Sequence, residues 1–197
     1  PPPVLAQIRS AGVPVEMFSS QPDLITLHAT LKHLGRLLGD ELQAEQLFTD
    51  YQHQLALHTQ QVARIQAQNK APGVLLLLGH AGGKPLVAGK DTAADWLLTQ
   101  AGGHNLATHT GYKPFSIEAL AGLNPEVLVF ADRSLTGEAA RQALMKENPI
   151  LASIRAAKDG RVYELDPTLL VGGLGPRLPT SLKQLTADFY PAASVNP

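Results

Sequence analysis

The apolar positions of this chain fall into two periodicities. Between Asp40 and Gln68 the period is helical: Leu47, Tyr51, Leu55, His58, Val62 and Ile65 recur at steps of four, four, three, four and three, which is one face of an α-helix. Asp40 reads as its N-cap, with Gln43 three residues on completing a capping-box pattern. Nothing breaks the run before Pro72-Gly73. At 1.5 Å per residue it spans roughly 40 Å, the length of a small domain. Two readings stay open: a long helix packed on one domain, or a rigid strut joining two lobes.

On the N-terminal side, Val4 to Arg9 reads as a short helix ended by Ala11-Gly12, and Val13 to Phe18 as a short strand. A polar connection, Ser19 to Asp23, leads to a second helix over Leu24–Leu38, with Leu24, Leu27, Leu31, Leu34 and Leu38 on one face. On the C-terminal side the pattern changes to short solid apolar runs, as strands buried on both faces require. Strands are predicted at Val74–Leu78, Leu86–Ala88, Val127–Ala131 and Arg161–Leu165. Helices are predicted over Thr92–Gln100, Ser116–Ala121, Gly137–Met145 and Thr180–Phe189, with a helical turn or two over Pro149–Ala157. Gly79–Lys84 and Asp166–Pro179 read as Gly- and Pro-rich loops. This alternation argues an α/β lobe, doubly wound or mixed. The predicted organisation is residues 1–39 as one unit, 40–70 as the long helix and 71–197 as an α/β lobe.

Composition narrows the function classes. The 197 residues carry a net charge of -1, and no basic run or aromatic platform suggests nucleic-acid binding. The absence of cysteine removes thiol catalysis, iron–sulfur clusters and zinc–cysteine sites. No apolar run is long enough to span a bilayer as a helix. The chain opens on Pro-Pro-Pro with no Met and no recognisable signal peptide, the expected look of a processed or truncated product.

The candidate chemistry lies in loops. Gly79-His80-Ala81-Gly82-Gly83-Lys84 follows a strand but fails as a phosphate loop. Its spacing is one residue short, and Pro85 stands where a Ser or Thr must bind magnesium. His80 differs from His28, His33, His53 and His58, which fall in predicted helices: it lies at a strand end, where an open α/β sheet has its ligand crevice. A neutral imidazole there can hold a metal or haem iron. Tyr112 and Lys113 share one loop and suit an apolar ligand bearing carboxylates. Arg177, in Gly173-Leu174-Gly175-Pro176-Arg177, suits bidentate carboxylate pairing. Glu118 lies in a helix first turn, where the macrodipole favours an acid; it is either that or an exposed anchor for a partner. There is no paired-carboxylate, HExxH or GxSxG arrangement.

Taken together, "VAGKDTAADWLLTQAGGHNLA", "GYKPFSIEALAGLNPEVLVFA" and "VGGLGPRLP" resemble the periplasmic haem-binding proteins of bacterial haem ABC importers. These belong to the helical-backbone class that also holds siderophore and cobalamin binders. The resemblance implies an α/β fold of two Rossmann-like lobes joined by a long rigid helix, with the N-terminal lobe incomplete in this chain. It implies a non-enzymatic receptor in a Gram-negative periplasm that holds haem b between the lobes and delivers it to a membrane ABC permease. The usual axial tyrosine of relatives would precede this chain, since none of Tyr51, Tyr112, Tyr163 and Tyr190 matches it. His80, with Gly82 and Gly83, matches a loop that supplies a histidine to haem in some relatives. Tyr112 and Lys113 match the cleft rim, Arg177 an arginine facing the cleft, and Glu118 the glutamate that docks into the permease. An incomplete lobe implies exposed apolar surface, and with it oligomerisation or domain swapping. The alternatives are a siderophore or cobalamin receptor of the same class, or an α/β nucleotide-dependent enzyme.

Overall fold

The computed structural model describes residues 2–79, 85–132, 136–171 and 173–191. Three helices come first: α1 (Pro2–Ser10), α2 (Leu24–Leu38) and α3 (Glu41–Gln66). Pro2 and Pro3 open α1 at positions where a missing N–H costs nothing. Asp23 caps α2 by accepting from the Thr26 N–H at 2.8 Å. Gly39, at φ +75°, turns the chain out of α2. Asp40 then accepts from the Gln43 N–H at 3.1 Å and starts α3. The capping box stays half-formed, because the Asp40 N–H already donates to the Gly35 carbonyl at 2.8 Å. Gly35 is the one fully buried residue of α2. A Cβ there would lie 2.8 Å from the Ala44 Cβ, so the glycine is what lets α2 and α3 touch.

Helix α3 is about 39 Å long at 26 residues. Its buried positions are Ala44, Tyr51, His58 and Val62, with Phe48, Leu55 and Ile65 half-buried. Leu47, expected on this face, is 49% exposed; Ala44 and Phe48, seven and three residues before Tyr51, occupy the face instead. Residues 13–18 also differ from expectation. They form no strand, since no edge pairs with them among the described residues, and an apolar run without a partner cannot make a ladder.

From residue 73 onward the chain builds one mixed sheet: β1 (Gly73–Leu78), β2 (Leu86–Ala88), β3 (His104–Asn105), β4 (Tyr112–Pro114), β5 (Val127–Ala131) and β6 (Val162–Glu164). The order is β4-β2-β1-β5-β6. β1, β5 and β6 run parallel, whereas β2 and β4 are antiparallel. β3 pairs with the first two residues of β1. Neither β3 nor β4 was expected from sequence; each is three residues or fewer, too short for alternation to register. Helices α4 (Ala93–Gln100) and α8 (Leu178–Phe189) cover one face with α3. Helices α5 (Ile117–Leu123), α6 (Gly137–Glu147) and α7 (Arg155–Lys158) cover the other. Side chains of β1 alternate between them: Val74 and Leu76 join the first core, Leu75 and Leu77 the second, all at most 2% exposed. β5 divides in the same way, with Val127 and Val129 against Leu128 and Phe130. Burying each such leucine contributes roughly 2 kcal/mol.

Candidate functional site

Two turns build the site. Gly89 has no room for a side chain: a Cβ would come within 2.1 Å of the His109 carbonyl. That contact lets residues 89–90 lie along 109–111. The Lys90 N–H donates to His109 at 2.7 Å, and Gly89 and Gly111 exchange with that ladder at 2.9 Å. Asp91 follows in the left-handed region, at φ +61°. Thr92, buried, donates its hydroxyl to the Gly89 carbonyl at 2.8 Å and accepts from the Asp95 N–H at 3.0 Å, which starts α4. The Asp95 carboxylate accepts from Asn105 at 2.8 Å, and the same amide donates to the Ala88 carbonyl.

Tyr112 enters from β4. Burial pushes its phenol above the ordinary value, and hydrogen bonding to Ala94 and Thr92 only partly offsets this. Burial thus favours the neutral phenol of Tyr112 over the phenolate. It lines a cleft of about 660 Å³ with Thr92, Asp95, Trp96 and Leu170, closed on its far side by Ser20–Pro22. Gly173, at φ +80°, holds that far side: a Cβ would sit 3.0 Å from the Gln21 carbonyl, so loop 173–177 and the N-terminal segment touch backbone to backbone.

A second cavity, about 580 Å³, lies on the other side of Pro22, Trp96 and Gln100. Leu24, Leu55, Ala56 and Leu174 complete it. Its floor is α3, which is tied to the lobe by hydrogen bonds from Tyr51, His58 and Gln66. The Tyr51 hydroxyl donates to the Gly175 carbonyl at 3.2 Å, His58 Nε2 meets the Gln100 carbonyl at 3.2 Å, and the Gln66 amide donates to the Gly102 carbonyl at 3.0 Å.

The sequence-predicted residues do not all converge here. Lys113 faces the opposite side of the sheet from Tyr112, as neighbours on a strand must, and pairs in register with Val87. One loop covering a ligand with both side chains is therefore excluded. The Arg177 guanidinium donates to Asp166 and to the Thr168 hydroxyl, each at 2.6 Å, and remains 64% exposed. The Thr168 hydroxyl and N–H, which both donate to Asp166, and then Arg177 hold the Asp166 carboxyl below its ordinary value. Glu118 is exposed in the first turn of α5, on the sheet face away from the cleft. His80, Gly82 and Gly83 lie outside the described residues. The backbone leads to them from Gly79, whose N–H donates to the Ala131 carbonyl at 2.9 Å where β1 and β5 end together.

Residues 5–169 match the periplasmic binding protein family. The chain belongs to that family. Three relatives locate it further. A periplasmic heme binding protein from Pseudomonas aeruginosa, known from its crystal structure, is 57% identical, with a TM-score of 0.93, over 98% of this chain and 69% of that one. The periplasmic heme-binding protein RhuT from Roseiflexus sp. RS-1, in apo form, is 34% identical, with a TM-score of 0.84, over 98% of this chain and 73% of that one. In Bacillus subtilis, a protein named as an uncharacterized ABC transporter substrate-binding lipoprotein, YvrC, is 25% identical over 190 residues. This chain spans 57% of that relative's length and 95% of its own.

In this periplasmic binding protein, sequence reasoning missed the cleft wall formed by Ser20–Pro22 and the ridge formed by Trp96 and Gln100. The ridge had a signal. Ala94, Leu97, Leu98 and Ala101 occupy the core face of α4, so Trp96 and Gln100, four apart, share its outer face. The wall had none, because it depends on the contact with Gly173.

Proposed function

We propose that this chain belongs to a haem receptor of a bacterial ABC importer, one that captures haem b outside the cytoplasm and hands it to a membrane permease. The observation that carries this reading is the 57% identity and TM-score of 0.93 to a periplasmic heme binding protein. The concave cleft at Trp96 and Tyr112, with the mainly apolar cavity beside it, supports it, since a flat apolar ligand needs such a site. In this reading residues 1–39 belong to an N-terminal lobe, 40–70 form the interlobe helix and 71–197 the C-terminal lobe. Its setting is the Gram-negative periplasm. The cleft residues Tyr112 and Thr92 orient the ring. His80, in its loop with Gly82 and Gly83, is the candidate iron ligand on this side. Arg177 is the candidate for a propionate, by exchanging Asp166 for a carboxylate of the ligand; Lys113, on the other sheet face from Tyr112, does not take that role. Glu118 is the candidate contact with the permease.

The test is hemin titration of the complete gene product, followed by the Soret band and by the fluorescence of Trp96, the one tryptophan. A saturable Soret shift with quenching is expected, and His80→Ala should alter the band. Absence of any hemin-induced change, with a ferric siderophore or cobalamin quenching Trp96 instead, overturns the haem reading.

A further inference from the structure

Trp96 stands where the two cavities meet. It lines both, together with Pro22 and Gln100, and its ring packs its inner edge on the core while remaining half-exposed. Among the described residues its indole nitrogen makes no hydrogen bond, and it is not sealed in the interior. The polar groups around it are committed elsewhere: Thr92 to Gly89 and Asp95, Asp95 to Asn105, and Asp23 to the start of α2. No histidine, lysine or arginine lines either cavity among the described residues, whereas Asp23, Asp91 and Asp95 do. The described lining of both cavities therefore supplies no cation for a carboxylate and no imidazole for a metal. The second cavity offers the Trp96 ring flanked by Leu24, Leu55, Ala56 and Leu174; the first is lined more by polar residues.

We infer that Trp96 is the platform on which a porphyrin ring lies, its apolar edge toward Leu55, Ala56 and Leu174 and its carboxylates turned away from both cavities. This rests on the haem reading and goes further: the protein recognises the macrocycle itself, so iron is not required for the ring to bind. The physical basis is offset stacking of two flat π-systems together with burial of the ring's apolar edge. The three aspartates add discrimination against placing the acidic edge inward.

The experiment compares hemin with metal-free protoporphyrin IX on the complete gene product and on Trp96→Ala, Trp96→Phe and Ala56→Trp variants, with thermal unfolding recorded for each. Both porphyrins should bind the parent protein. Trp96→Ala should raise both dissociation constants about tenfold and by similar factors, the size expected for loss of one stacked aromatic contact. Trp96→Phe should keep both within about threefold. Ala56→Trp fills the second cavity from an exposed position on α3, and should weaken both porphyrins with an unchanged melting temperature. Failure of protoporphyrin IX to bind while hemin binds overturns the inference and leaves the haem reading standing. So does parent-like binding of both porphyrins by the folded Ala56→Trp and Trp96→Ala variants. If the parent binds neither porphyrin, the haem reading itself is lost, and the inference with it.

Discussion

The sheet region and the N-terminal region use similar apolar residues and reach opposite ends of the burial scale. In β1 and β5, Val74, Leu75, Leu76, Leu128 and Val129 are 0% exposed. In the first 42 residues, Met17 is 64% exposed, Ile25 85%, Leu38 79% and Leu42 73%. Both stretches read as amphipathic or apolar in sequence. The difference is that β1 has strands on both edges and helices on both faces. Helix α2 has α3 on one side and residues 16–19 near another, yet Ile25, Leu37 and Leu38 remain more than half exposed. An apolar pattern states a demand for a partner, and only the assembled structure shows whether the demand is met. Exposed apolar side chains in such number favour association.

Four measurements test this contrast. The largest effect is expected at the centre of the sheet: Leu76→Ala should cost about 3 kcal/mol in urea unfolding, from lost burial plus the cavity left behind. A cost below about 1 kcal/mol would mean that the first core is loosely packed. Next is Gly89→Ala. A methyl cannot coexist with the His109 carbonyl, so the turn under the cleft must shift, at about 2 kcal/mol by the usual scale of overpacking. Retained stability and ligand affinity would show that the two turns tolerate separation.

The third concerns His58, where α3 meets α4 and α8. Burial lowers its pKa, the bond to Gln100 opposes this, and the nearby Lys183 adds to the lowering. Nδ1 has no hydrogen-bond partner, so protonation would place an unpaired N–H and a charge beside the core. Because the folded value lies below the ordinary one near 6.5, the unfolded chain binds the proton first. Stability is therefore full above about pH 6.5 and falls as pH drops toward the folded value. The melting temperature should decline between pH 7.5 and 5.5, and His58→Gln, which keeps a donor for Gln100, should flatten that decline. An identical slope in both proteins would assign the pH dependence elsewhere. The smallest effect on folding is expected on the open face. Ile25→Lys with Leu38→Glu should change the stability of the 197-residue chain by about 0.5 kcal/mol or less. Light scattering should detect self-association of the parent chain, and the double variant should reduce it. A parent that stays monomeric at high concentration would show that the exposed face is inert.

Much of the fold was legible because its signals are local. Asp23 and Asp40 cap their helices through their own side chains, Gly39 turns by its own φ, and the solid runs at 74–78 and 127–131 carry enough apolar side chains to demand burial on two faces. Residues 13–18 misled because a strand is made by its neighbour, and none is present among the described residues. Of the candidate site, Tyr112 was legible as a residue type near a loop, whereas its separation from Lys113 depended on the pairing of β4 with β2. The sequence by itself determined where helices start and stop and which runs must be buried. Only the tertiary structure decided the order of the strands, the commitment of Arg177 to Asp166, and the cleft at Trp96. Caps and periodicity are properties of residues a few positions apart. The cleft requires Gly173 to touch Gln21 across some 150 residues, and no local pattern encodes a contact over that distance.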